Sequence, residues 1–137
     1  MEVQKMSFIR HYLIAAVIFT VIDMVWLLVI AKNLYKSKIG HLMAEKANVA
    51  AAIVFYLLFI AAMVFFVISP AVARQSWLYA LGAGAFFGLV TYATYDLTNL
   101  ATLKDWPLSL TIIDLAWGTF ISGITSLLTT LVGGRFT

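Results

Sequence analysis

Hydrophobic positions along this chain fall in long blocks separated by short polar stretches. The first block, Tyr12 to Ala31, is interrupted only by Asp23, and the second, Val49 to Ile68, carries no charge. A third, Trp77 to Leu103, is broken only by Asp96, and the last, Trp106 to Val132, only by Asp114. Each reaches the roughly 20 residues that, at about 1.5 Å rise, cross a hydrocarbon core of about 30 Å. None shows the apolar/polar alternation of a membrane barrel strand, so helices are the spanning form. The pattern predicts an all-α integral membrane protein, an antiparallel bundle of four transmembrane helices. Approximate limits are 8–31, 48–69, 76–103 and 107–132, within a single domain over 1–137.

The punctuation refines this picture. Ser69-Pro70 is expected to end the second helix, because the residue before proline avoids the helical region. Lys104-Asp105-Trp106-Pro107 reads as a tight turn, with Pro107 suited to the first turn of the last helix. The longest connection runs from Lys32 to Lys46. In it Tyr35, Ile39, Leu42 and Met43 recur at helical spacing opposite Lys32 and Lys36, as in a segment lying at the interface. An ordinary basic loop is the alternative, since Gly40 weakens a helix. Trp77, Tyr79 and Trp106 fall where an aromatic belt would lie. Lys5 and Arg10 precede an apolar stretch too long for a signal-peptide core, and Ala31-Lys32-Asn33 offers no small-x-small cleavage site. The first helix is therefore expected to be retained and to act as a signal anchor.

Composition fixes the class. Of 137 residues, 64% are hydrophobic and 11% charged, and the mean hydropathy is +1.01. Soluble domains carry far more polar surface. Without cysteine there is no disulfide framework, thiolate nucleophile or Cys-ligated metal. The net charge of +3 sits at segment ends, which suits lipid headgroups and gives no nucleic-acid footprint. Both termini and the second loop share one side of the membrane, side A, with Lys5, Arg10, Arg74 and Arg135. Side B carries Lys32, Lys36, Lys38, Lys46 and Lys104. Four against five leaves the orientation open.

The acids are distributed differently. None of the nine basic residues falls inside one of the four apolar blocks, whereas three of the six acidic ones do. Counted from the side B ends, Asp23, Asp96 and Asp114 all lie roughly 10–12 Å deep, and Tyr56 reaches the same level. They are expected to surround one polar pocket opening towards side B. Tyr92, Asp96 and Asn99, at i, i+4 and i+7, share a helix face with Tyr95 on its edge. Asp23-x-x-Trp26 and Asp114-x-x-Trp117 repeat one spacing, placing each indole a turn from its carboxyl group. No Lys or Arg is available at that depth, so either some protons are retained or a cation supplies the charge. Intramembrane acids mark functional sites by default. The candidate ligand- or proton-binding residues are therefore Asp23, Trp26, Tyr56, Tyr92, Tyr95, Asp96, Asn99, Asp114 and Trp117. The plainer alternative is hydrogen-bonded glue between helices.

Other features carry less chemistry. Gly84-x-x-x-Gly88 and the small pair Gly118/Ser122 suit close helix packing, within one chain or between copies. Phe55, Phe59, Phe65, Phe66, Phe86 and Phe87 read as lipid-facing or packing residues. His11 and His41 read as solvated histidines at opposite interfaces. No metalloprotease, nucleophile-elbow, P-loop or dinucleotide motif occurs, so no catalytic residue, metal site or cofactor is indicated.

Asp23-x-x-Trp26-Leu27, Phe55-Tyr56, the string from Tyr92 through Asp96-Leu-Thr-Asn99 to Leu100-Ala-Thr, Trp106-Pro107 and Asp114-x-x-Trp117-Gly118 together resemble a bacterial family. These are the predicted membrane proteins of domain of unknown function 2177. The resemblance spans essentially the whole chain, and Tyr-Asp-Leu-Thr-Asn is its most specific part. It implies a four-helix, multi-pass protein of the bacterial inner membrane and no particular activity. From the residues, the expected function is a small proton- or cation-binding or transport protein with an intramembrane carboxylate pocket. A non-catalytic assembly protein and an intramembrane enzyme acting on lipids are the alternatives. Expected partners are membrane lipids, a small cation or proton, and a second copy in a homo-oligomer.

Overall fold

The computed structural model describes residues 2–134, so Arg135, counted above on side A, lies outside the described residues. Four helices are long and apolar enough to cross a membrane: α1 (Glu2–Ile30), α3 (Val49–Ala73), α4 (Trp77–Thr102) and α5 (Leu108–Gly134). Between the first two, α2 (Lys32–Ile39) is a short helix followed by a 3₁₀ turn over Gly40–Leu42. No strand occurs among the described residues. The protein is an all-α, four-span membrane protein.

Local chemistry sets the helix ends. Asn48 caps α3, its side chain accepting from the Ala51 amide at 3.1 Å, and Ser76 caps α4 by accepting from the Tyr79 amide at 3.0 Å. Tight turns follow α3 and α4, with Gln75 at φ 51° and Asp105 at φ 61° in the left-handed region. Pro70 does not end α3, contrary to the expectation from Ser69-Pro70. The helix runs on to Ala73 because its hydrogen bonding widens to a π-helical stretch over Val64–Ile68, immediately before the proline. A wider turn relieves the clash between a proline ring and the preceding turn.

α5 is the central element. It buries Asp114, Gly118, Ser122, Thr125, Ser126 and Thr129 along one face, at the three- and four-residue spacing of a helix stripe. α4 packs along it most extensively. A Cβ on Gly84 would stand 2.6 Å from Ser126 Oγ and 2.9 Å from the Ser122 carbonyl oxygen. A Cβ on Gly88 would overlap the Gly118 carbonyl, and one on Gly118 would overlap the Tyr92 ring. The Gly84/Gly88 face is thus occupied within the chain by α5, which leaves it unavailable as an interface between copies.

α1 contributes His11, Ala15, Phe19 and Asp23, a buried stripe with a spacing of four. His11 is therefore not the solvated histidine expected from its position near the helix start. It is 1% exposed and packs on Gly133, where the absence of a side chain makes room for the ring. His41 is exposed. The apolar core lies where α1, α3 and α5 meet, with Phe19, Phe59, Ile60, Met63, Val64, Ile68 and Ile121 buried together. A smaller cluster forms on side B from Ile39 of α2, Trp106 and Leu110. Trp106 is buried there and donates to Thr111 Oγ1 at 3.0 Å, so it serves packing and not an exposed aromatic belt. Trp77 is exposed, and Tyr79 lies under the Arg74 guanidinium at 4.2 Å.

Candidate functional site

Four spans and α2 enclose a cavity of about 410 Å³. α1 lines it with Asp23, Trp26 and Leu27, and α2 with Tyr35. α3 supplies Ala52, Phe55 and Tyr56; α4 supplies Thr91, Tyr92, Tyr95 and Asp96; α5 supplies Asp114 and Trp117. No Lys or Arg is among these lining residues. Asn99, on the same α4 face as Asp96 by spacing, lies outside the lining. Asn99 is half-buried, about one turn nearer the side B end than Asp96.

The helix register explains how three acids meet. Asp23 is the last member of the buried α1 stripe, and the helix widens to π geometry directly after it, over Trp26–Ile30. The Ala31 amide closes that stretch by donating to the Trp26 carbonyl at 2.7 Å. Asp96 ends the α4 face that carries Ala80, Gly84 and Gly88, one side chain every fourth residue or its multiple. Asp114 and Gly118 continue the buried α5 face towards side B. The three carboxyl groups are 5%, 0% and 4% exposed, respectively, so none meets bulk solvent.

Their surroundings differ. Asp23 accepts from the Tyr56 hydroxyl through Oδ2 and from the Trp117 indole at 3.2 Å through Oδ1. Asp114 accepts from the Tyr35 hydroxyl at 2.5 Å, and that oxygen in turn accepts from the Trp26 indole at 3.1 Å. Asp96 has no hydroxyl, indole or amide donor among the described residues. It shares the cavity wall with the Asp114 carboxyl.

The indoles are exchanged relative to the spacing expectation. Trp117 serves Asp23 on α1, and Trp26 serves Asp114 on α5 by way of Tyr35. The two rings stack at 4.4 Å between centroids and 10° between planes, which lets each N–H reach across the bundle. Tyr35 was not among the residues singled out for chemistry. It belongs to the α2 face that also carries Leu34 and Ile39, with Lys32, Lys36 and Lys38 exposed on the other. Its phenol is held above the usual tyrosine range, first by burial and then by the bond to Asp114, with the Trp26 bond acting the other way. Leu42 and Met43 leave that face and are exposed. α2 thus brings Tyr35 into the cavity lining from side B.

The walls are aromatic. Tyr56 meets Phe19 edge-on at 5.7 Å and Tyr92 meets Phe59 edge-on at 6.4 Å, so the tyrosines stand on a floor of phenylalanines towards side A. Tyr95 packs edge-on against Trp106 at 5.6 Å. Carboxyl oxygens among aromatic faces can hold a proton or a cation, and the faces add their own attraction for a cation. Among the described residues no three His, Asp or Glu side chains group as metal ligands would.

A family model matches residues 8–131, most of the chain. The protein belongs to the predicted membrane protein family DUF2177. Among curated proteins and solved structures, nothing matches it. In this DUF2177 protein the cavity is where the intramembrane acids meet.

Proposed function

We propose that this is a small cation- or proton-binding protein of the bacterial inner membrane, whose cavity carboxyl groups exchange protons for a cation. The observation that carries this is one cavity lined by Asp23, Asp96 and Asp114 without a Lys or Arg. Magnitudes favour an exchangeable charge. Two ionised carboxylates about 4 Å apart repel by about 4 kcal/mol at an effective dielectric of about 20. Hydrogen-bonded glue between membrane helices contributes only roughly 0.6–2 kcal/mol per contact. A retained proton or a bound cation would relieve such repulsion, and the aromatic walls suit an organic cation. Apolar helical spans fit an inner membrane, where barrels are not the rule. A homo-oligomer belongs to the same proposal, because four helices enclose little volume.

The test is reconstitution into proteoliposomes, with proton and organic-cation flux compared between wild type and Asp96→Asn. Loss of flux in a variant that keeps its helical content and melting temperature is expected. Unchanged flux in Asp96→Asn would refute the reading. A variant that merely melts earlier, with no flux in either protein, would favour the assembly role.

A further inference from the structure

The first half of α3 is unlike the rest of the bundle. From Val49 to Leu58 each residue is exposed except the half-buried Tyr56, and burial begins at Phe59. Phe59 meets Phe87 at 5.3 Å, and from there towards side A α3 and α4 pack together. Towards side B they part. The cavity residues at this gap, Ala52 and Phe55 on α3 and Tyr95 on α4, are exposed while still lining the cavity. Phe55 and Tyr95 lie six and seven residues from the side B ends of their helices. That places them roughly 9–10 Å deep, within a hydrocarbon leaflet of about 15 Å. The gap therefore faces acyl chains. Elsewhere the cavity is flanked by apolar clusters, Ile39, Trp106 and Leu110 on side B and Phe19 with Phe59 towards side A.

We infer that the cavity is entered sideways from the bilayer, between α3 and α4, and that its ligand is an organic ammonium ion bearing an apolar tail. The inference rests on the cation reading above and adds the ligand's class and its route. The headgroup sits among Asp23, Asp96 and Asp114, where it supplies the missing positive charge and meets the Trp26 and Tyr92 faces. The tail stays in the lipid and needs no protein pocket. A small hydrated ion gains nothing from a gap in hydrocarbon, because it cannot cross the acyl chains that border it.

The chain has no cysteine, which allows the gap to be plugged at one chosen position. The protein is placed in phosphatidylcholine nanodiscs and titrated with alkyltrimethylammonium ions from tetramethyl to dodecyl, reading indole emission. Saturable binding should tighten roughly three- to fourfold per added methylene, as a chain leaving water for hydrocarbon does. It should vanish in Asp96→Asn, and in Ala52→Cys after reaction with a bulky maleimide. The same reaction at Leu58→Cys, on the exposed back of α3, should leave binding unchanged. Repeating the titration in phosphatidylethanolamine separates two sources of the same chemistry. Competition by that lipid identifies a lipid amine as the ligand, and its absence a free amphiphile; either result supports the inference. Tetramethylammonium binding as tightly as the dodecyl ion, with plugged Ala52→Cys unaffected, would overturn the sideways route and leave the cation reading standing. No response to any ammonium ion would overturn both.

Discussion

Tyr35 ties α2 to the cavity, and its hydroxyl is the natural place to perturb the site from outside the spans. Tyr35→Phe keeps the ring and deletes two bonds: the 2.5 Å donation to Asp114 and the 3.1 Å acceptance from the Trp26 indole. A bond to a charged acceptor contributes about 1.5–3 kcal/mol and a neutral one about 0.5–1.5. Between membrane helices such bonds average nearer 0.6 kcal/mol. Tyr35 is half-buried at the edge of the membrane, so the loss should fall between these limits, about 1–3 kcal/mol. The assay is reversible unfolding in mixed micelles for wild type, Tyr35→Phe, Asp114→Asn and the double variant. A coupling energy of about 1–2 kcal/mol is expected for the pair. The pH dependence follows from the same bond. Because folding favours the protonated phenol, its contribution is complete below the ordinary tyrosine pKa of about 10 and is lost as pH rises beyond it. Tyr35→Phe should flatten part of that alkaline loss. Additivity within about 0.3 kcal/mol, with an unchanged alkaline limb, would refute the Tyr35–Asp114 link.

The glycines of α4 make a paired prediction. Gly88→Ala places a methyl group into the Gly118 carbonyl and should lower stability by about 1–3 kcal/mol, whereas Gly82→Ala meets nothing within 4 Å and should be neutral or slightly stabilising in thermal unfolding. Gln75 holds a left-handed φ of 51° without the short side chain that tolerates it. Gln75→Gly should therefore stabilise by roughly 0.5–1 kcal/mol in the same assay, since left-handed backbone costs a side-chain-bearing residue about 1–2 kcal/mol.

The spans were legible because hydrocarbon excludes charge: Val49 to Ile68 contains none, and nothing else explains twenty such residues in a row. Counting depth along each helix also put Asp23, Asp96, Asp114 and Tyr56 on one level, since rise per residue is nearly constant. Partners across the bundle were less accessible. Spacing paired Asp23 with Trp26 because both lie on α1, yet the indole that reaches Asp23 comes from Trp117 on α5. Rotation of one helix against another decides such pairings, and no count along a single helix contains it. Tyr35 was hidden for a related reason. Its amphipathic stretch read equally well as a basic loop, so nothing aimed it at Asp114. His11 was misjudged because its position near the helix start outweighed the four-residue spacing His11–Ala15–Phe19–Asp23, which was present in the chain. Pro70 was over-weighted because a π-helical stretch can absorb it.

In the proposed function, protons and a cation compete for the same carboxyl groups. This competition is tested most directly by the affinity for dodecyltrimethylammonium as a function of pH, in wild type and Asp96→Asn. Binding should weaken on acidification, approaching tenfold per pH unit where one proton is exchanged per cation. Asp96→Asn should bind weakly at every pH. Binding of equal strength across the acid range, or retained in full by Asp96→Asn, would contradict this competition.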